Sequence, residues 1–136
     1  VKLLPQRTLR MTEENFAHLY HEIAHYPQNF KGREIELEGF VLKDANNNDR
    51  QFVVGRFLIT HCVADATVIG FLAETRKNVH VPEGTWIKVT GLLDVTRHGE
   101  KEVSLIRVKS IQSLEKPKNP YIYPKEGDLE GELHNH

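Results

Sequence analysis

The chain has 136 residues, 39% hydrophobic and 27% charged, a composition typical of one globular domain. Its 18 basic and 19 acidic residues give a formal net charge of −1, which disfavours a nucleic-acid binder because such proteins usually carry a basic excess. The single cysteine excludes an intramolecular disulfide and a multi-cysteine zinc site, and no apolar run approaches the roughly 20 residues that span a bilayer.

The first predicted element is a helix over residues 12–25, after a mixed lead-in over residues 1–11 that has no clear period. Thr12 is a typical N-cap, and Pro27 disfavours helical geometry in the residue before it. Apolar side chains recur at helical spacing along one face of this segment: Phe16, Leu19, Tyr20 and Ile23. We therefore expect the helix to pack against another part of the domain.

After the helix the apolar period changes to two, which predicts strands. Five are expected, over residues 34–40, 51–60, 67–73, 85–95 and 101–114, with turns at 44–49 and 97–100 and a bend at Gly91. Residues 74–84 are too interrupted for a helix, 116–124 are expected to be extended, and 125–136 are predicted to be disordered. The predicted fold is mainly β, a five-stranded OB-fold-like Greek-key barrel over residues 12–124, capped by the N-terminal helix.

The segment RFLITHCVADATVIG, residues 56–70, places a thiol, an imidazole and a carboxylate where two predicted strands meet. Cys62, Asp65 and His61 are candidate ligands for a soft transition metal such as zinc. His61 and Cys62 point to opposite faces of a regular strand, so a shared metal would need a bulge there. Arg56 is a candidate for lowering the pKa of the thiol and for contacting a partner protein. A buried, purely structural Cys62 is the alternative.

A second metal-binding pattern is His21-Glu22-Ile23-Ala24-His25, which matches the H-E-x-x-H motif of zinc peptidases. Two imidazoles at i and i+4 share a helix face and can chelate one metal while the glutamate activates water. Here the motif lies in the last turn before Pro27 and lacks an evident third ligand. We expect both histidines to face solvent rather than a catalytic cleft.

Aromatic and basic residues in the predicted strands could together form a stacking platform for single-stranded nucleic acid. The candidates are Phe52, Phe57 and Phe71 with Arg50, Arg56 and Arg76. These phenylalanines lie in apolar runs, however, which is the pattern of core residues. We therefore keep an OB-fold single-stranded nucleic-acid-binding module as the alternative function and expect no nucleic-acid partner.

Four segments occur in a fixed order: KGREIELEGFVL, RFLITHCVADATVIGFLAE, GTWIKVTGLL and EKPKNPYIYP. Over about residues 16–124 they resemble the C-terminal domain of the YcgQ-like family of Gram-positive permease subunits. The resemblance implies N-terminal transmembrane helices before Val1, an integral membrane permease subunit as partner, and an OB-like domain of unestablished role. The family commonly has two adjacent cysteines followed by Ala-Asp-Ala where this chain has His61 and Cys62, so a metal role survives but a dithiol role does not.

From the pattern and the resemblance together we expect a noncatalytic module of a membrane permease complex that binds a partner protein or cargo, and zinc as the possible cofactor. The full-length protein is expected to be membrane-tethered, with this domain outside the cytoplasm.

Overall fold

The computed structural model describes residues 8–43, 49–60, 65–78 and 80–124. Within them the elements are, in chain order, β1 (Leu9–Arg10), α1 (Phe16–His25), a 3-10 helix (Pro27–Phe30), β2 (Glu34–Leu42), β3 (Gln51–Leu58), β4 (Thr67–Glu74), β5 (Trp86–His98), β6 (Lys101–Leu114) and β7 (Tyr121–Ile122). All five predicted strands are present as β2–β6. The predicted tail over 125–136 and most of the predicted turn at 44–49 lie outside the described residues.

Strands β2–β6 close partly into a ring. β2 pairs antiparallel with β5, β5 with β6, and β3 with β4, while β4 and β6 pair in parallel over a short stretch. The ring is closed by three residue pairs between β2 and β3, from Phe40↔Gly55 to Leu42↔Val53. This is the strand connectivity of the partly open Greek-key OB-fold. The predicted mainly β, OB-like class is therefore confirmed.

Period two in the strand sequences places one row of side chains inside the ring, where it forms the core. Phe52, Phe71, Ile35, Leu37, Ile87 and Ile106 are among the largest fully buried side chains. The predicted apolar face of α1 completes this core: Phe16 and Ile23 are fully buried, and Leu19 and Tyr20 pack against it. The ring of Phe71 on β4 contacts those of Phe16 at 6.2 Å and Tyr20 at 5.5 Å between centroids.

The α-helix begins at Phe16, four residues after the predicted start. Thr12 nevertheless caps the preceding turn, because its N–H donates to Asn15 Oδ1 at 2.7 Å and the Asn15 N–H donates to Thr12 Oγ1 at 3.3 Å. This reciprocal pair is the bonding pattern of a capping box, with Asn in the place of Glu. The chain therefore enters the helix in a fixed direction.

On one side of the ring, β5 and β6 pair along their whole length, interrupted only by one bulge. The register shifts between Thr90 and Gly91, where the bend was predicted. A Cβ at Gly91 would lie 2.4 Å from the Arg107 carbonyl oxygen, so this close approach requires glycine. The two strands are joined at Gly99, whose φ of 68° suits the tight hairpin.

The opposite side of the ring is split, because β2 and β3 separate beyond their three paired residues. The edge of β2 left uncovered pairs with β1, at Leu9↔Ile35 and Arg10↔Glu36. The edge of β3 left uncovered pairs with β7, at Phe57↔Tyr121 and Leu58↔Ile122. We call residues 34–39 of β2 and 56–58 of β3, with β1 and β7, the split side. Both β1, in the predicted lead-in, and β7, in the predicted extended end, are part of the sheet.

Candidate functional site

Arg56 lies at the split side and is the one buried charged side chain among the residues described, with 5% of its surface exposed. Its Nη1 donates to the Glu38 carbonyl oxygen of β2 at 3.2 Å, and its Nε donates to the Pro120 carbonyl oxygen at 3.4 Å. Neither acceptor lies in the residue pairs formed by β1 or β7. The guanidinium therefore bonds the Glu38 carbonyl group, which a continuous β2–β3 pairing would otherwise have bonded, and ties the segment before β7 to the split side through Pro120.

The guanidinium of Arg56 is also held by aromatic rings and a carboxylate. Its central carbon lies 5.2 Å from the ring centroid of Trp86 and 5.7 Å from that of Phe16, which is within cation–π range. Nη2 makes no hydrogen bond and lies 4.0 Å from the exposed carboxylate of Glu13. Burial lowers the pKa of Arg56 from its ordinary value, and the carboxylates of Glu13 and Glu38 oppose that shift. An arginine stays charged under these conditions, so a cation sits inside the split.

This placement bears on two of the predicted roles of Arg56. Its donors face carbonyl groups of its own chain, and only Nη2 points toward a group at the surface, Glu13. The role of Arg56 in partner binding and its effect on the Cys62 thiol therefore stay predictions.

An aromatic row crosses the split side. Ring centroids are 5.5 Å apart for Trp86 and Phe40, 4.9 Å for Phe40 and Phe57, and 6.1 Å for Phe57 and Tyr121. Trp86 and Phe40 are buried, whereas Phe57 is 36% exposed. Phe57 is paired across the sheet with Val68 of β4, which is 48% exposed. The row therefore ends in an aliphatic and aromatic pair that is open to solvent.

Phe57 and Val68 belong to a larger uncharged surface on the outside of β3 and β4. Three cross-strand pairs form it, and we call it the apolar face: Val53 with Leu72, Gly55 with Gly70, and Phe57 with Val68. A Cβ at Gly55 would lie 3.0–3.4 Å from Leu42, Val68 and Phe40, so these side chains converge above that glycine. In OB-folds this face, on the second and third strands of the ring, is the usual ligand-binding face.

The predicted stacking platform is not assembled. Phe52 and Phe71 are buried in the core, with 2% of each exposed, and Arg56 is buried as well, while Phe57 lies on the apolar face. The reason is strand geometry: Phe52 and Phe57 are five residues apart, so they point to opposite faces of β3. Because the apolar face carries no cation, it lacks the charged component that single-strand binders combine with aromatics.

The predicted metal ligands lie at the connection between β3 and β4, as the strand pattern indicated. Leu58 and Thr67 form the last pair before this connection. Asp65 is exposed within it, and His61 and Cys62 lie outside the described residues. Among the residues described, no group of three His, Cys, Asp or Glu side chains is placed to hold a metal ion. The proposed zinc site stays a prediction.

The His21–His25 motif lies in the last turns of α1, as predicted. The two rings are 4.2 Å apart between centroids, and Nδ1 of His25 lies 2.9 Å from the His21 carbonyl oxygen. His25 is exposed and His21 half-buried, so the expectation that both face solvent holds fully for His25 only. Within the described ranges the motif has no third ligand of the kind that a zinc peptidase needs.

Sequence reasoning missed the burial of Arg56, although the sequence contains a signal for it. Phe52, Val54, Arg56 and Leu58 occupy alternate positions of β3 and share its inner face. Period two alone would thus have placed this arginine among core residues. The apolar face follows from the other parity of β3 and β4, but only once the pairing of these strands is known.

Two curated relatives match most of the chain. Protein YcgQ (UPF0703) of Bacillus subtilis is 32% identical over 124 residues, which are 90% of this chain and 44% of YcgQ. A protein of Streptococcus mutans, whose name assigns it provisionally to a two-component membrane permease complex as a subunit, is 32% identical over 117 residues, 85% of this chain and 42% of that protein. The chain thus spans less than half the length of these relatives.

Solved OB-fold structures match only loosely. Yeast RPA bound to ssDNA gives a TM-score of 0.45 at 13% identity, covering 96% of this chain and 90% of that one. An OBody bound to hen egg-white lysozyme gives 0.42 at 16% identity, covering 72% and 93%. These likenesses add nothing to what the strand pairing already shows.

Within the described parts of the chain, no helix has the length and apolar character that crossing a bilayer requires. The sequence profile of one family covers residues 1–124, which include every element of the fold. Together with the two relatives, this match shows that the chain belongs to the DUF1980 C-terminal domain family.

Proposed function

We propose that this domain is a noncatalytic docking module of a membrane permease complex and that its apolar face binds the integral membrane subunit. The membrane setting comes from the name of the Streptococcus mutans relative. The observation that carries the docking role is the exposed, uncharged pair of Phe57 and Val68 on the OB ligand-binding face. Exposed apolar clusters on otherwise polar surfaces are typical of protein interaction sites.

The composition of the apolar face favours a protein over other ligands. Interface centres are depleted in charge and enriched in aromatic residues, and here the ring of Phe57 packs between those of Phe40 and Tyr121. A side chain that is already held in place loses little conformational freedom when a partner covers it. Phe57 is therefore the expected anchor, and Val68 fills the space beside it.

The test is to tag the full-length protein in its host and isolate it from detergent-solubilised membranes. The wild-type protein should co-purify with one integral membrane subunit in a fixed ratio. Val68→Lys should weaken that complex about 30-fold or more, because it would bury a charge at the centre of the interface. Tyr26→Lys is the matched control, since Tyr26 is a similarly exposed hydrophobic residue (54%) just after α1.

Retention of the membrane subunit by Val68→Lys, or an equal loss with Tyr26→Lys, would refute the docking surface. Circular dichroism of both variants checks that the fold is unchanged. The proposal also places the domain outside the cytoplasm. The ground for that location is the family resemblance alone.

A further inference from the structure

A basic groove lies where β4 and β6 separate, at the end of β4 away from Val68. It consists of two adjoining depressions of about 500 Å³ and 370 Å³ that share Thr75, Arg76, Val108 and Lys109 as lining. Val68 and Glu74 stand at opposite ends of β4, six residues or roughly 20 Å apart. The groove is therefore separate from the apolar face.

Positive charge is concentrated in this groove although the whole chain has a net charge of −1. Its lining contains five cationic side chains: Arg50, Arg76, Lys77, Arg107 and Lys109. Glu74 is the one carboxylate among the described lining residues. Like charges placed together attract an anion from solution, because the anion relieves their mutual repulsion.

The cations on the β6 wall are already paired with carboxylates, and one of these is Glu74 of the lining, whose Oε2 accepts from Arg107 Nη1 at 3.3 Å. Arg107 Nε donates to Asp94 Oδ2 at 2.6 Å, and Lys109 Nζ donates to Glu34 Oε2 at 3.1 Å. On the facing wall, Arg76 and Lys77 lie on an exposed turn. The Arg76 and Lys77 side chains are therefore the cations most readily offered to a ligand.

The turn that carries Arg76 and Lys77 is hydrogen-bonded to the segment that precedes β3. The Thr75 N–H donates to the Arg50 carbonyl oxygen at 2.8 Å, and the Thr75 hydroxyl donates to the Lys77 carbonyl oxygen at 2.5 Å, with the Arg50 oxygen 3.3 Å away. Arg50 is thus tied by hydrogen bonds to the separate segment that carries Arg76 and Lys77. A preformed arrangement of this kind lowers the entropic cost of binding.

We propose that the basic groove binds the phosphate group of an anionic lipid at the membrane surface. Arginine and lysine donors on both walls suit a phosphate, and lipid headgroups present it at high local density. None of the described lining residues is aromatic, so a nucleic-acid strand would find phosphate contacts but no stacking surface. The choice of a lipid as the source of the phosphate rests on the membrane setting in the proposed function.

The experiment is co-sedimentation of the purified 136-residue chain with vesicles of phosphatidylglycerol and phosphatidylcholine in equal parts, at low ionic strength. Wild type should bind these vesicles and not vesicles of phosphatidylcholine alone. The double variant Arg76→Gln/Lys77→Gln should bind roughly 30-fold more weakly, which corresponds to about 1 kcal/mol for each cation near the surface. Both residues are exposed, so thermal unfolding should be unchanged.

A matched control removes the same charges elsewhere. Arg97 and Lys101 are exposed on the β5–β6 hairpin, and Arg97→Gln/Lys101→Gln should keep nearly full binding. Equal losses in the two double variants would overturn the groove in favour of diffuse attraction, and no binding to phosphatidylglycerol would overturn it outright.

Two further arms separate other sources of phosphate. Displacement by low millimolar inorganic phosphate, but not by sulfate at equal ionic strength, would overturn the lipid in favour of a free phosphate. Binding of a single-stranded oligonucleotide with no binding to vesicles would overturn it in favour of nucleic acid. The vesicles contain no protein partner, and Val68→Lys should still bind them, so failure here is distinct from failure of the docking proposal.

Discussion

The two sides of the ring use arginine in opposite ways. On the continuous β5–β6 side, Arg107 lies outside the sheet and bonds the carboxylates of Asp94 and Glu74 at 2.6 Å and 3.3 Å. On the split side, Arg56 lies inside and bonds backbone carbonyl groups. Where strands pair fully, their backbone groups are already hydrogen-bonded to each other. The surface arginine there bonds only side chains. Where pairing stops, the cation replaces part of the missing strand.

The largest effect is expected from substitutions that compare these two arginines. Arg56→Met keeps the aliphatic stem but leaves the Glu38 and Pro120 carbonyl oxygens without their donor, so the free energy of unfolding should fall by about 2–4 kcal/mol. Arg107→Met removes an exposed ion pair and should cost less than about 1 kcal/mol. Urea unfolding of the purified chain measures both.

Arg56→Lys sharpens this comparison, since lysine keeps the charge but lacks the planar fork that reaches two carbonyl groups at once. Its stability should lie between those of wild type and Arg56→Met. If Arg56→Met were as stable as Arg107→Met, the view that Arg56 substitutes for strand pairing would have to be abandoned.

A smaller effect, on the continuous side, concerns pH. The hydrogen bond from Arg107, then that from the Val95 N–H, lowers the pKa of Asp94 below its ordinary value. The unfolded chain therefore binds the proton more readily, so the contribution of Asp94 is fully present above its unfolded pKa of about 3.9 and is lost as pH falls through the folded value. Asp94→Asn should remove that dependence and cost less than about 1 kcal/mol at neutral pH.

Unfolding curves of wild type and Asp94→Asn at a series of pH values would measure this difference. The gap in stability between the two proteins should shrink on acidification below pH 4. A gap that stays constant or widens in acid would show that Asp94 does not act through its charge. Asp49→Asn, at an exposed position before β3, is a suitable control.

The smallest effect on stability is expected at Cys62, in the connection that belongs to neither side. If the predicted site exists, wild type should bind zinc, and Cys62→Ser should bind it at least about tenfold more weakly with an unchanged unfolding midpoint in the absence of metal. Calorimetric titration measures the affinity. His25→Ala controls for metal held by the helix histidines, and an affinity unaffected by Cys62→Ser would eliminate the site.

Much of the fold could be predicted from the sequence because period two and helical spacing are local signals. Residues near each other in the chain are enough to predict the five long strands, the bend at Gly91 and the buried side of α1. The strands β1 and β7 could not be predicted, since two residues carry no period. They are defined only by the edges of β2 and β3 that they cover.

The candidate sites were less accessible to sequence reasoning, for the same physical reason. Arg50, Arg76 and Lys109 are separated by tens of residues, and only the pairing of β4 with both β3 and β6 brings their segments together. Phe57 and Val68 become one surface only through the register of β3 and β4. The cluster around Cys62 was proposed because its members are adjacent in sequence, which is the one kind of proximity that sequence displays.

Both ends of the described region are attached at the split side, Leu9–Arg10 to β2 and Tyr121–Ile122 to β3. A mechanical load on either end would therefore reach the ring where β2 and β3 share the fewest hydrogen bonds. The short β1–β2 and β3–β7 pairings and the Arg56 guanidinium would resist it there. Under such a load we expect β2 and β3 to separate further before the long β5–β6 pairing breaks.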